Sequence, residues 1–303
     1  MPIYLNSNNK LKEVEEKAFK LERDIQRVFE ENLNTIMQLT LVKSEFTIKD
    51  RRIDTLAFDK QSNAFVIIEY KRDKNISVFD QGITYLGLML ANKADFVIEY
   101  NEQLKMNMKR DDVDWTQSRI VFVSTSFSEY QIAAADFKDF SIELWEAKQF
   151  ENNLIAINPI KKTKTAPSIK PVTQQSETYK RVTDEIKVYT EEEHFENANE
   201  EIAELYEKFR NAILNLSSDV ELKPQKFYIA FKKDGTNVAC MEMQKKKLKI
   251  WIGAKFGKLE DGRGIAKDVA NIGHYGTGDY EIVIDSDKDL EYIISLIKQV
   301  VVS

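Results

Sequence analysis

Three residues in the stretch RRIDTLAFDKQSNAFVIIEYKR have types and spacing suited to chemistry: Asp54, Glu69 and Lys71. Phe65, Val66, Ile67 and Ile68 form an apolar β run that ends in Glu69-Tyr70-Lys71. A strand repeats every two residues, so Glu69 and Lys71 point to the same side. An acid and a base at the end of a buried strand are costly to desolvate, and either a metal or each other must compensate them. The turn DKQSN folds the strand carrying Asp54 back against 64–71 and can bring Asp54 beside Glu69. Two converging carboxylates repel unless a hard cation bridges them. Mg²⁺ suits such a pair, because it takes oxygen ligands and keeps waters that a phosphate can replace. The opposing reading is a salt-bridged cluster in a sheet, with no metal.

The surrounding pattern is mixed. Val14, Ala18, Leu21, Ile25 and Val28 recur at helical spacing and predict one amphipathic helix over about 10–38. Strands are expected near 41–48, 51–58 and 64–71. Ser77, with Asp80 three residues on, is expected to open a helix whose apolar line is Val78, Gly82, Tyr85, Leu86 and Met89. ADFVIEY and RIVFVST read as strands, 128–138 as a helix, and FSIELWEA and NLIAINPI as closing strands. Such alternation argues for a central sheet flanked by helices.

In that order of elements the chain resembles the PD-(D/E)XK nuclease superfamily over about residues 10–158. The likeness is to the NucS-like, restriction-endonuclease-like catalytic domain. It is carried by Arg52-Ile53-Asp54, by Glu69-Tyr70-Lys71-Arg72 and by Gln81-x-x-x-Tyr85. The proline of the family's name is absent, since Ile53 precedes the aspartate, a departure that NucS-like members share. The resemblance implies an α/β fold and Mg²⁺-dependent hydrolysis of phosphodiesters, most naturally in DNA, with Mn²⁺ able to substitute. It implies Asp54, Glu69 and the Tyr70 carbonyl as metal ligands, and Lys71 as the group that orients water and stabilises the developing anion. It also implies a glutamate from the first helix. Glu22 fits through its neighbours Ala18, Ile25 and Phe29, whereas Glu30 and Glu31 are expected to point elsewhere. Gln81 is expected to face the site, and Tyr85 to pack. Arg51, Arg52 and Arg72 are candidates for flanking phosphates. Nucleases of this fold often dimerise, so a homodimer is open. The alternative function is a nucleic-acid- or protein-binding module that keeps the fold without cutting.

Three of the five prolines, Pro159, Pro167 and Pro171, fall in NPIKKTKTAPSIKPVTQQSET, which has no aromatic residue and reads as a basic linker. The expected organisation is a nuclease-like domain over 1–158, a linker over 159–178 and a small α/β domain over 179–303. The last segment resembles a C-terminal α/β domain of unknown function, through Lys226-Phe227-Tyr228-Ile229-Ala230-Phe231-Lys232, through His274-Tyr275-Gly276-Thr277-Gly278-Asp279 and through Asp289-Leu290-Glu291-Tyr292. A capping box at Thr190 and Glu193 is expected to open a helix to about 217, followed by strands near 225–232, 236–243, 247–253 and 279–285. Its lysines (Lys223, Lys226, Lys232, Lys233, Lys245 to Lys247, Lys249 and Lys255) are interleaved with Phe227, Tyr228, Phe231 and Trp251. Two readings stay open: a surface for flexible nucleic acid, or a hairpin turn beside core aromatics. Seven of the ten glycines lie between Gly253 and Gly278, which calls for unusual backbone geometry.

Bulk properties narrow the classes. The chain has 303 residues, 43 % hydrophobic and 31 % charged, enough for about two globular cores. A net charge of −6 gives no global attraction to nucleic acid, so any basic surface is local. The single cysteine, Cys240, excludes an internal disulfide and a cysteine-based zinc cluster. Two histidines, His194 and His274, stand far apart in sequence and make a zinc site a poor reading. The N-terminal residues lack a signal peptide's apolar core, and no run reaches the ~18 apolar residues of a membrane span. A cytoplasmic protein is expected.

Overall fold

Asn8 and Asn9, with φ of 50° and 63°, decide how the N-terminal segment folds. A two-residue loop with both residues left-handed matches the twist of paired strands, and asparagine tolerates that conformation. The computed structural model, which describes residues 2–71, 77–163, 165–173, 176–274 and 276–302, has a hairpin here. Strand β1 (Ile3–Ser7) pairs antiparallel with β2 (Lys10–Val14). This corrects the expected helix over 10–38. After β3 (Glu16–Lys17), helix is confined to α1 (Glu22–Glu31) and α2 (Leu33–Met37). The helical apolar line is real only from Ile25 onward. Ile25, Phe29 and Leu33 are buried, whereas Ala18 and Leu21 are exposed.

The chain divides into two units, Met1–Val188 and Tyr189–Ser303. Unit 1 continues with β4 (Thr40–Ile48), β5 (Arg51–Asp59) and β6 (Ala64–Lys71). Then come α3 (Val78–Ala91), α4 (Lys93–Leu104), β7 (Arg119–Ser124), α5 (Glu129–Ala135), β8 (Ile142–Phe150) and β9 (Ile155–Ile160). The sheet runs β3-β8-β7-β6-β5-β4, with β9 also on β8. Pairs β4–β5 and β5–β6 are antiparallel, while β6–β7 and β7–β8 are parallel. This is the mixed central sheet that the order of motifs implies. Alternation along β6 sends Phe65 and Ile67 to one core, with residues of α3, α4 and α5, and Val66, Ile68 and Tyr70 to the other, with Ile25 and Phe29 of α1. ADFVIEY is helical, not a strand. Its buried residues Phe96, Val97 and Tyr100 are spaced as one face of α4, an ambiguity inherent in short apolar runs.

The expected linker is also corrected. Ile169 is fully buried, and Asp139 accepts from its N–H at 2.7 Å and from the Ser168 hydroxyl at 2.5 Å. Asp136 accepts from the Thr163 N–H at 2.7 Å. Helices α6 (Lys170–Thr173) and α7 (Glu177–Glu185) follow, and Val182 and Ile186 join the core under α3. The Tyr179 hydroxyl donates to Asp80 at 2.8 Å. Lone apolar residues and side-chain caps hold this segment to unit 1, so the boundary falls after Val188.

Unit 2 contains α8 (Glu191–Phe195), α9 (Glu200–Leu214), β10 (Val220–Pro224), β11 (Ile229–Lys233), β12 (Thr236–Gln244), β13 (Lys247–Ile252), β14 (Lys267–Asp268), β15 (Tyr280–Ile284) and α10 (Leu290–Val301). Its antiparallel sheet runs β10-β11-β12-β13-β15-β14. Apolar residues of α9 and α10 pack on one face. The helix expected from Thr190 to 217 is split, because Asn199 caps α9 by accepting from the Ile202 N–H at 3.0 Å. Within the glycine-rich segment Gly253 and Gly278 sit where another backbone strand passes too close for a Cβ, whereas Gly257, Gly262, Gly264 and Gly273 have open space. Gly278 has φ of 103°, and a Cβ there would lie 1.9 Å from the Ile252 carbonyl oxygen. Among the described residues no helix is long and apolar enough to cross a membrane.

Candidate active site

The ladder between β5 and β6 runs from Asp59 opposite Ala64 to Thr55 opposite Ile68. Beyond it, side chains replace the ladder. The Asp54 N–H donates to Glu69 Oε1 at 3.2 Å, and the Tyr70 N–H donates to Asp54 Oδ2 at 3.0 Å. Each carboxylate thus takes the amide of the opposite strand. Strand β6 stays paired with β7 as far as Lys71 opposite Ser124, which keeps Glu69 inside at 1 % exposure. Lys71 Nζ lies 3.2 Å from Glu69 Oε2, with 15 % of its side chain exposed. The structure therefore brings Asp54, Glu69 and Lys71 together.

The pair of carboxylates is electrostatically loaded. Burial, followed by the charge of Asp54, pushes Glu69 up to about 7, and Lys71 only partly offsets this. Burial also raises Asp54, against the Tyr70 amide and Lys71, while Glu45 and Glu22 add to the rise.

Helix α3 supplies the next residue. Ser77 Oγ accepts from the Asp80 N–H at 3.2 Å, the cap its sequence implies. Gln81 Nε2 is then 3.4 Å from Glu69 Oε2, while its Oε1 is buried with no partner among the described residues. Tyr85 acts as a brace: its hydroxyl donates to the Arg52 carbonyl at 3.0 Å, and burial pushes the phenol up to about 12.

The first helix differs from expectation. Because α1 begins at Glu22, that residue is exposed rather than on a buried face, although its charge still reaches Asp54. The inward polar residues of α1 are Gln26 and Glu30. Gln26 Nε2 donates to the Asp54 carbonyl at 2.9 Å and to Glu30 Oε1 at 3.1 Å. Glu30, expected to point elsewhere, accepts from the Thr55 hydroxyl. Both lie one position past the buried Ile25 and Phe29, a signal hidden by the misplaced helix start. Tyr70 offers its backbone here, while its ring packs edge-on against Phe29.

Arg51 is exposed beside Asp50, at 3.8 Å. Arg52 Nε meets Glu45 Oε2 at 2.8 Å. Arg72 lies outside the described residues.

Among the described residues no three histidine, cysteine or acidic side chains converge to hold a metal. Asp54 and Glu69 form a two-carboxylate set, the kind that Mg²⁺ binds while keeping several waters. Gln81 Oε1 beside them, buried and without a partner among the described residues, is an acceptor that such a water would satisfy, so the residues present fit a hydrated hard cation.

Among its described residues unit 2 has no comparable cluster. Tyr228, Phe231 and Trp251 are buried, so the aromatics expected to interleave with lysines belong to the core, and of that run only Phe227 is exposed. His194 is buried, with Nε2 2.8 Å from the Gln225 carbonyl oxygen. His274 stacks on Trp251.

Fold and site together define a two-unit α/β protein with an acid–acid–lysine cluster at the C-terminal end of β6, an interior strand of a mixed sheet. Residues 191–299 match the model of a domain of unknown function, DUF5655, over the segment where such a domain is expected. An uncharacterized protein of Haemophilus influenzae is 52 % identical over 301 residues, 99 % of each chain, and the present chain belongs to its family. Two solved structures also align. A repair endonuclease from Pyrococcus abyssi is 20 % identical over 38 % of this chain and 42 % of that one, with a TM-score of 0.22. An EndoMS–dsDNA2 complex is 16 % identical over 37 % and 40 %, with a TM-score of 0.21. The chain spans about two fifths of the length of each.

Proposed function

We propose that unit 1 is a metal-dependent nuclease that hydrolyses phosphodiester bonds in DNA. The observation that carries this reading is the exchange of amides between Asp54 and Glu69, which leaves two carboxylates facing each other with Lys71 alongside. An arrangement that raises both carboxylates opposes folding, and a divalent cation would relieve it.

Asp54 and Glu69 would hold Mg²⁺, with the Tyr70 carbonyl as a further oxygen. When bound, the cation lowers the pKa of its water and offsets charge on the phosphate. Lys71 orients the attacking water and stabilises the developing anion, its ammonium held in place by Glu69. Gln81 fixes the Glu69 carboxylate from α3. Tyr85 locks α3 to β5, which keeps Gln81 and Asp54 in register. Arg51 and Arg52 meet flanking phosphates from the exposed rim.

The test uses the full chain with labelled single-stranded, branched and mismatched DNA. Cleavage is expected with Mg²⁺ or Mn²⁺ and abolished by chelation. No cleavage of any substrate, together with no binding of Mn²⁺, contradicts the proposal.

A further inference from the structure

Glu45 breaks the pattern of its strand. It is a non-glycine residue with φ of 55° in the middle of β4, which has nine residues. The β4–β5 ladder pairs Ser44 with Thr55 and Phe46 with Ile53, so Glu45 holds the register position opposite Asp54. A left-handed residue at mid-strand is strained and re-aims its side chain, and such outliers concentrate at functional sites. The Glu45 carboxylate meets Arg52 Nε at 2.8 Å, and its charge acts directly on Asp54. The two side chains are 43 % and 67 % exposed, for Glu45 and Arg52 respectively. An ion pair this exposed adds little to stability, so it gives the strained backbone no folding rationale. It is, however, open to exchange: a phosphate from solvent offers arginine a bidentate partner.

We infer, on the nuclease reading above, that Arg52 and Glu45 form an exchange pair that couples substrate to cation at the Asp54–Glu69 site. A DNA phosphate takes the Arg52 guanidinium. The released Glu45 carboxylate then adds negative charge beside Asp54, and the cation binds more tightly. Without DNA, Arg52 neutralises Glu45 and the cation is held loosely. Glu45 is thus a positioning residue, acting on the cation through Arg52 and Asp54. Reciprocity requires that the cation tighten DNA by the same factor.

The experiment is a thermodynamic cycle in the Lys71→Met protein, chosen to suppress cleavage; Lys71→Gln replaces it if circular dichroism shows misfolding. Mn²⁺ affinity is measured by calorimetry with and without the tightest-binding of a set of short single-stranded, duplex and branched DNAs. DNA is expected to tighten Mn²⁺ by about tenfold. Adding Glu45→Gln is expected to remove that coupling while leaving Mn²⁺ affinity without DNA within about twofold. Adding Arg52→Gln is expected to tighten Mn²⁺ in the absence of DNA and to abolish the coupling. Coupling that survives Glu45→Gln overturns the exchange, as does binding of both ligands with no coupling at the outset. Failure to bind either ligand overturns the nuclease reading itself.

Discussion

The two units of this chain treat buried charge in opposite ways. In unit 1, Glu69 is 1 % exposed at a strand end and shares its surroundings with a second carboxylate and a lysine. In unit 2, the buried polar residues among those described are His194, Gln225 and Asn237, none of them a carboxylate, a lysine or an arginine. The unit richer in lysine–aromatic runs therefore carries the more ordinary core. Composition leaves a nucleic-acid surface on unit 2 open beside ordinary core packing, whereas the cost of desolvation draws attention to the acids of unit 1.

The sharpest break of this contrast is catalytic. Lys71→Met is expected to lower cleavage by about 10³-fold in single-turnover assays. Lys249→Met, which removes the ammonium over the Trp251 ring in unit 2, is expected to leave cleavage unchanged. Equal losses would erase the distinction between the units.

The next effect is on stability in unit 2. Gly278→Ala forces a Cβ against the Ile252 carbonyl at a φ of 103°, and a loss of about 4 kcal/mol is expected in chemical denaturation. A loss below about 1 kcal/mol would mean that the backbone approach at Gly278 is not a constraint on the fold.

Unit 1 should show the reverse sign. Glu69 has an ordinary value of 4.5 and sits at about 7 in the folded chain. Between those values the folded state keeps a proton that the unfolded state has lost, so stability falls as pH rises through the window. The interval corresponds to about 3 kcal/mol, fully expressed above pH 7. In metal-free buffer, Glu69→Gln is therefore expected to raise the melting temperature at pH 8 and to leave it unchanged near pH 4. An equal shift at both values would remove the electrostatic basis of the contrast.

The smallest effect concerns the boundary between the units. Val182→Ala in α7 is expected to cost about 2 kcal/mol, because Val182 is buried in the unit 1 core. A change within about 0.3 kcal/mol would return this segment to the status of a tether.

The site's strand residues were legible because period-two alternation is local: it put Glu69 and Lys71 on one side, and the short turn placed Asp54 next to them. The α3 cap at Ser77 was legible for the same reason. What escaped depends on distant partners or on backbone sign. The β1–β2 hairpin hinges on left-handed Asn8 and Asn9, which an apolar spacing count does not see. The 159–178 stretch reads as too polar to order, yet Asp136 and Asp139 cap Thr163, Ser168 and Ile169 from elsewhere in the chain. Glu30 and Gln26 were missed because the apolar count took in Val14, Ala18 and Leu21, which lie before α1, and so centred its inward face on Leu21 and Val28 instead of Ile25 and Phe29. Glu45 carried no signal, since its place opposite Asp54 is fixed by ladder register and its own left-handed backbone.

The most direct measurement is a calorimetric titration of Mn²⁺ into the wild-type chain and into Glu69→Gln under identical conditions. A cation site at Asp54 and Glu69 predicts saturable binding by the wild type that is lost in Glu69→Gln while circular dichroism stays the same. No binding by the wild type, or equal binding by both proteins, would mean that the buried acids and Lys71 are only a salt-bridged cluster in the sheet.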